Sequence, residues 1–342
     1  MPRARTLLSF SALIISVSAL AHASVNKIEL PVAVDGAYWQ SISTEESAVI
    51  WLGSNTGHIA RTEDAGQSWS ITRPAGTNAL PITQIKAIDD RQAFALTYGS
   101  GSDSRLYHTR NGGFSWSRVH RANGNERLRC FDIMTNGEGW ILADSLNNNW
   151  HVVRSTNGRR WLDSRSGFDS PVQPGQGAYS ASGSCVRYAN DTWAMGTAYA
   201  SPARFAVKTT SGLRFNVHDT PITGANPAVT AIYPLAPNDV LLTGGDLDNT
   251  NEEPVIYRWR NQDFELLTPP QLSGTLTYLL MFKDALIVGN ESGTAWTDDE
   301  GDSWQVLDAP AQQISCNEEH GCFGLSRTGV YHFRVTPSSE LE

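Results

Sequence analysis

Two carboxylates facing one another roughly 5–9.5 Å apart can cleave a glycosidic bond, one as acid and the other as base or nucleophile. Asp132, Glu138, Asp169, Asp246 and Glu252 are available for such a pair. Most of them sit in turn-forming stretches, where an acid ordinarily closes a turn or keeps the surface soluble, and the sequence does not show two of them converging. The run Asp246-Leu247-Asp248-Asn249-Thr250-Asn251-Glu252-Glu253 alternates oxygen donors as a calcium loop does. The glycine that such a loop needs at its sixth position is Asn251 here, so the run reads as a solvated acidic loop. His58, His108, His151 and His332 fall in or near expected strands without paired spacing. The cysteines Cys130, Cys185, Cys316 and Cys322 lack the close spacing of a zinc site. No nucleophile elbow, phosphate loop or haem-attachment motif occurs. The sequence therefore supplies no complete catalytic constellation, and neither a metal nor a cofactor is expected.

Charge points instead to recognition. The formal net charge is −9, yet residues 105–165 hold ten arginines against five acids. Residues 239–302 hold thirteen acids against three bases. A molecule so divided carries a field that steers and orients a charged partner. Arg118, Arg121, Arg127 and Arg129, with Arg165, Phe168 and Tyr179 of the long stretch 164–182, form the expected contact surface for a protein partner. Long connections of this kind often carry function. Arg110, Arg154 and Arg159 suit the plainer task of covering strand edges equally well. An acidic chain bound for export is not expected to bind nucleic acid.

The elements that position these residues are set by a repeat. Thr62-Glu63-Asp64-Ala65-Gly66-Gln67-Ser68-Trp69, Thr109-Arg110-Asn111-Gly112-Gly113-Phe114-Ser115-Trp116 and Thr297-Asp298-Asp299-Glu300-Gly301-Asp302-Ser303-Trp304 all read Ser/Thr-x-Asp/Asn-x-Gly-x-Ser-Trp. Shorter copies end at Asn157-Gly158-Arg159-Arg160-Trp161 and Ser211-Gly212-Leu213-Arg214-Phe215, and a worn copy spans Trp259 to Phe264. The Asp/Asn-equivalent positions 64, 111, 157, 211, 261 and 299 recur every 38 to 54 residues. That period is the size of one four-stranded propeller blade. Asp or Asn accepts backbone N–H groups to close the turn, Gly supplies a positive φ, and Trp buries its ring between strands and sheets.

Alternating strands precede each copy. Second strands are expected at Ala48–Leu52, Gly139–Ala143, Thr192–Gly196, Val240–Gly244 and Ala285–Gly289, and third strands at His58–Arg61 and His151–Arg154. After the last copy come strand candidates near 312–316, 322–325 and 330–335. They amount to a seventh blade that lacks its fourth strand, and residues 25–34 offer one. Pairing the two ends would close the ring and remove its open edges. The expected fold is all-β, a seven-bladed propeller closed by its N-terminal strand, with six blades as the alternative.

Met1-Pro2-Arg3-Ala4-Arg5, an apolar run to about Leu20, and Ala21-His22-Ala23 read as a secretory signal peptide over residues 1–23, leaving a single propeller domain over 24–342. The mature chain is then periplasmic or secreted and does not span a membrane. An even number of cysteines in an oxidising compartment implies disulfides. Cys316 and Cys322 flank a hairpin loop and suit a cross-strand bridge, and Cys130 with Cys185 follows by elimination.

With these motifs quoted, the chain resembles the Asp-box (BNR) propeller superfamily, and within it the photosystem II stability/assembly factor family. The shared signature is a strand ending in Gly, a Gly-containing loop, a strand ending in Arg-Thr and then the box, here Trp51-Leu52-Gly53 through Arg61-Thr62 to Trp69. The resemblance covers nearly the whole mature chain. It implies a non-enzymatic scaffold that helps other proteins assemble, membrane-associated machinery among them. Asp-box propellers also include sialidases, which carry an Arg-Ile-Pro segment ahead of the first box. No Arg-Ile-Pro occurs in this chain, and the first arginine after the signal segment is Arg61. A glycoside hydrolase or glycan-binding module remains the alternative to a protein-binding scaffold.

Overall fold

The structure, a computed structural model, describes residues 25–32, 34, 36–45, 47–164, 167–249 and 253–338. The expected signal segment, Arg165 and Glu252 lie outside the described residues.

Short alternating strands joined by tight turns can bury both faces only if many small sheets stack on one another. The chain forms seven antiparallel sheets of four strands each. Their innermost strands, Trp39–Thr44, Ile82–Ala87, Leu128–Ile133, Val186–Ala189, Pro227–Ala236, Tyr278–Phe282 and Gln313–Asn317, neighbour one another in order, and the last returns to the first. We number the blades 1 to 7 in that sequence. In blade 7 the strand Asn26–Ile28 is outermost and pairs antiparallel with Val330–Phe333, through Asn26↔His332, Lys27↔Tyr331 and Ile28↔Val330. The ring is therefore seven-bladed and closed by the N-terminal strand, and the six-bladed alternative is excluded.

Several strand boundaries differ from expectation by one or more residues, and two of the shifts have a visible cause. The closing strand stops at Ile28, because the Pro31 carbonyl instead accepts the Trp39 indole N–H at 3.2 Å and turns the chain toward blade 1. The second strand of blade 1 begins at Ile50, because the Thr44 hydroxyl donates to the Val49 carbonyl at 2.8 Å and holds Val49 in the turn.

The repeated turns join third to fourth strands and are closed by their own side chains. The Asp64 carboxylate accepts the Ser68 N–H and hydroxyl at 2.8 and 2.6 Å and the Thr62 hydroxyl at 2.6 Å, and Thr62 in turn accepts the Gly66 N–H at 2.9 Å. Asp299 repeats this with Ser303 at 2.9 and 2.6 Å and Thr297 at 2.5 Å, while Gly301 donates to Thr297. The Ser68 and Ser303 hydroxyls are the largest cause holding these two carboxyls at about 2. Asn111 accepts the Ser115 N–H at 3.0 Å, and Gly113 donates to Thr109. In the shorter copy Asn157 accepts the Arg159 and Arg160 N–H groups, and Gly158 donates to Ser155. The worn copy is a plain two-residue hairpin, with Asn261 and Gln262 at φ 52° and 80°.

Seven apolar clusters fill the seven seams, each built from two neighbouring blades. The turn tryptophans belong to these seams: Trp116 meets Trp51 edge-on at 5.9 Å, and Trp161 packs on Phe94 at 6.3 Å. Trp69 and Trp304 join the clusters between blades 7 and 1 and between blades 5 and 6. Toward the axis, where inner-strand edges would leave backbone groups unmet, side chains stitch each blade to the next. Ser41 donates to the Ile82 carbonyl, and Gln84 bonds both the N–H and the carbonyl of Phe131. Asp132 accepts the Tyr188 N–H, Thr230 donates to Leu276, Thr277 to Gln312, and Ser315 accepts the Thr44 N–H. Both disulfides are present, Cys130–Cys185 between blades 3 and 4 and Cys316–Cys322 across the first hairpin of blade 7.

One seam contains a pH-sensitive element. His108 stacks on Phe94 at 4.0 Å, and burial, then the nearby Arg110 charge, push it from 6.5 to about 4. The unfolded chain takes up a proton below pH 6.5 that folded His108 refuses until about 4, so this contribution to stability is present above 6.5 and is lost as pH falls through that window. The melting temperature of His108→Phe should therefore fall less steeply than that of the wild type between these values. Parallel slopes would remove His108 from the acid response.

Candidate functional site

Because neighbouring strands within a blade are antiparallel, the repeated turns leave on one face. The loops between second and third strands and the connections between blades leave on the other. The expected contact residues belong mainly to this second, loop-bearing face around blades 2 and 3. On the outer strand Ser117–Arg121 of blade 2, Arg121 ends at the loop-bearing face and Arg118 lies nearer the repeated turn, and Arg127 ends the connection to blade 3. All three are exposed and have no ion-pair partner among the described residues.

Arg129 does not join them. It is 8% exposed, and its guanidinium forks onto Asp144 at 2.7 and 2.5 Å. The Tyr98 and Tyr199 rings flank it, at 5.1 and 5.4 Å from their centroids. Tyr199 holds a φ of +70°, a strained conformation for an aromatic residue. Such a cluster fixes the rim of the loop face. The sequence does not single out Asp144 or the two tyrosines, and it is the hairpin register that brings Asp144 to Arg129. Leu128 pairs with Ala143, so Arg129 and Asp144 end the same hairpin on its open side. Replacing Asp144 by Ala strands a buried guanidinium, which should destabilise the fold by about 3 kcal/mol. The double variant Arg129→Met/Asp144→Leu should recover most of that loss in urea unfolding, and no recovery would count against a paired-charge origin.

The long connection from blade 3 to blade 4 covers the face and then enters the axis. Phe168 is stacked between Trp150 at 4.2 Å and Phe215 at 5.0 Å, and is half-buried. Asp169 accepts the Val217 N–H, and the Trp150 indole donates to the Ser170 carbonyl. Tyr179 is half-buried, and burial raises its hydroxyl pKa. Next, Ala181 accepts a bond from Gln313 of blade 7, and Ser182 donates to Thr230 of blade 5 at 2.6 Å. Gly183, at φ +63°, lies so near Gln313 and Gln84 that a Cβ would come within 3.2–3.3 Å of them. The stretch 180–184 thus plugs the channel.

Beyond the plug the channel forms a cavity of about 250 Å³ that reaches the ends of the inner strands on the turn-bearing face. Its carboxylates among the described residues are Glu45 and Asp132. Asp132 is engaged by the Tyr188 N–H at 2.8 Å and by Lys86 at 3.5 Å. The other candidate acids lie elsewhere. Glu138 pairs with Arg154 at 3.2 Å near the turn of blade 3, and Asp169 is on the edge of blade 4. Asp246 accepts the Ala225, Asn226 and Asp248 N–H groups, which lower its pKa and commit it to closing a loop. Among the described residues, the structure does not bring these acids together.

No protein-family profile matches the chain, and no curated protein matches it by sequence. Solved structures do match its fold. One described as YCF48 bound to D1 peptide superposes with a TM-score of 0.62 at 16% identity, over 91% of this chain and 97% of that one. YCF48 from Cyanidioschyzon merolae gives 0.64 at 13% identity, over 91% and 99%. A GH74 xyloglucanase from Xanthomonas campestris gives 0.59 at 11% identity, over 90% of this chain and 53% of the enzyme. At these identities the likeness is one of fold, and it places this chain among the seven-bladed propellers.

Proposed function

We propose that this chain is an exported, non-catalytic propeller scaffold that binds a protein partner through the cationic rim of blades 2 and 3, in the manner of an assembly factor. One observation carries the reading. Six exposed arginines of those blades, Arg110, Arg118, Arg121, Arg127, Arg159 and Arg160, have no ion-pair partner among the described residues. Unpaired guanidinium groups in one sector give a field that an acidic segment of a partner would meet. The two disulfides fit an oxidising compartment, in keeping with removal of residues 1–23 as a signal peptide. No helix among the described residues is long and apolar enough to cross a membrane. The side-chain-closed turns support their reading as Asp boxes, and the fold shared with a YCF48 that is described with a bound peptide supports peptide recognition. The dispersed candidate acids favour binding over glycoside hydrolysis.

The test separates the outer strand and connection of blade 2 from the repeated turns. Chemical crosslinking in the envelope of the source cell, read by mass spectrometry, should recover a discrete partner. Reversing Arg118, Arg121 and Arg127 to Glu should lower its recovery at least tenfold. Reversing Arg110, Arg159 and Arg160, on the turn-bearing face, should change it little. Equal recovery with the first triple variant would sink the proposed surface.

A further inference from the structure

The seam between blades 2 and 3 contains a cluster that the protein-binding reading does not use. Glu126 closes the connection between the blades, His151 precedes the third strand of blade 3, and Asp163 lies on its fourth strand, Trp161–Ser164. His151 Nε2 stands 3.7 Å from Glu126 Oε1 and 3.9 Å from Asp163 Oδ1. One ligand atom from each residue lies within 4.8 Å of the others. The His151 side chain is 1% exposed, and neither ring nitrogen has a hydrogen-bond partner. Buried imidazole nitrogens are seldom left in this condition. The two separations exceed the roughly 2.7–3.2 Å of a hydrogen bond, so proton sharing with either carboxylate does not account for the arrangement.

We infer that Glu126, His151 and Asp163 bind a divalent first-row transition ion such as Zn²⁺. Ligand atoms about 2.0–2.2 Å from a tetrahedral zinc stand roughly 3.4 Å apart, so each carboxylate needs to approach His151 by only a few tenths of an ångström. One imidazole and two carboxylates form a mixed nitrogen and oxygen set that zinc accepts. The Asn123 N–H bonds Glu126 Oε2 at 2.7 Å, which fixes this carboxylate while its Oε1 faces His151. Asp163, 41% exposed, gives the ion a way in. His120 stands beside the three: it bonds the Trp161 backbone, its Nε2 is buried without a partner, and it senses Asp163 and Glu126 electrostatically. The sequence concealed the site because its residues come from separate elements, at positions 120, 126, 151 and 163, with no motif spacing. A bound ion would pin the connection that carries Arg127 to the outer half of blade 3. The inference does not rest on the protein-binding proposal.

The chelator-stripped full chain titrated with Zn²⁺ by calorimetry at neutral pH should bind one equivalent and melt at a higher temperature when loaded, because the ion binds only the folded state. Co²⁺ in its place should show the visible absorption of a low-symmetry site. Asp163→Asn, at a partly exposed position, leaves the fold intact and should weaken Zn²⁺ binding at least tenfold. His151→Gln should do the same, and His218→Gln, in another seam, should not. If the wild type takes up no stoichiometric Zn²⁺, or if Asp163→Asn binds it as tightly as the wild type, the site is disproved.

Discussion

A chain lacking residues 25–31 should lose on the order of 5 kcal/mol of stability and should self-associate. The estimate follows from what the closing strand does. Its three residue pairs with Val330–Phe333 contribute about 1 kcal/mol per hydrogen bond. Ile28 and Leu30 pack against the cluster between blades 7 and 1, adding roughly 1–2 kcal/mol each. Without Pro31 the buried Trp39 N–H loses its acceptor, a further cost of about 1 kcal/mol. Ile28 also bridges the seam directly. A Cβ on Gly66, which holds φ +95° in the first repeated turn, would come within 2.4 Å of the Ile28 side chain. Such a loss is a large share of the roughly 5–15 kcal/mol that holds a domain together. It would also bare the edge of Val330–Phe333, an open template for pairing with another chain. Urea unfolding and light scattering of the truncated protein measure both effects. An unshifted midpoint in a monodisperse sample would mean that the ring does not depend on its terminal strand.

This closure was legible in the sequence because it follows from counting. Beyond the strand that follows Trp304, the chain supplies three quarters of a blade, the N-terminus supplies one strand, and open edges are costly. The turns were legible for a different reason. A Thr, an Asp two residues on and a Gly two further satisfy each other locally, so their chemistry is written in adjacent letters. The site was less legible, because it depends on which way a side chain turns at the end of a strand. Arg127 and Arg129 are near neighbours, yet one reaches solvent and the other is held between Tyr98, Asp144 and Tyr199. Phe168 looks like a loop residue in the sequence, but Trp150 and Phe215 arrive from two other segments to sandwich it. The axial plug was hidden for the same reason, since Gln84, Thr230 and Gln313 meet residues 181–183 only once the ring is closed.

Breaking the two disulfides should have unequal consequences, and the ratio tests what holds the plug. Cys130 and Cys185 are 55 residues apart and Cys316 and Cys322 are 6 apart. By the loop-closure entropy of the unfolded chain, the first bridge stabilises by about 4 kcal/mol and the second by about 2 kcal/mol. Cys130→Ala/Cys185→Ala should therefore shift the unfolding midpoint roughly twice as far as Cys316→Ala/Cys322→Ala. The longer bridge also has a positional role. Cys185 sits directly after the plug, and both sulfurs are fully buried in the cluster containing Trp140, Trp193 and Met195. Without the covalent tie, residues 180–184 are held by polar contacts to Gln313, Thr230 and the Ile232 N–H. Amide exchange across 180–184 should then quicken in the first variant and stay unchanged in the second. Equal midpoint shifts would assign the bridges' effect to the folded state rather than to chain entropy. Unchanged exchange would show that the hydrogen bonds alone seat the plug.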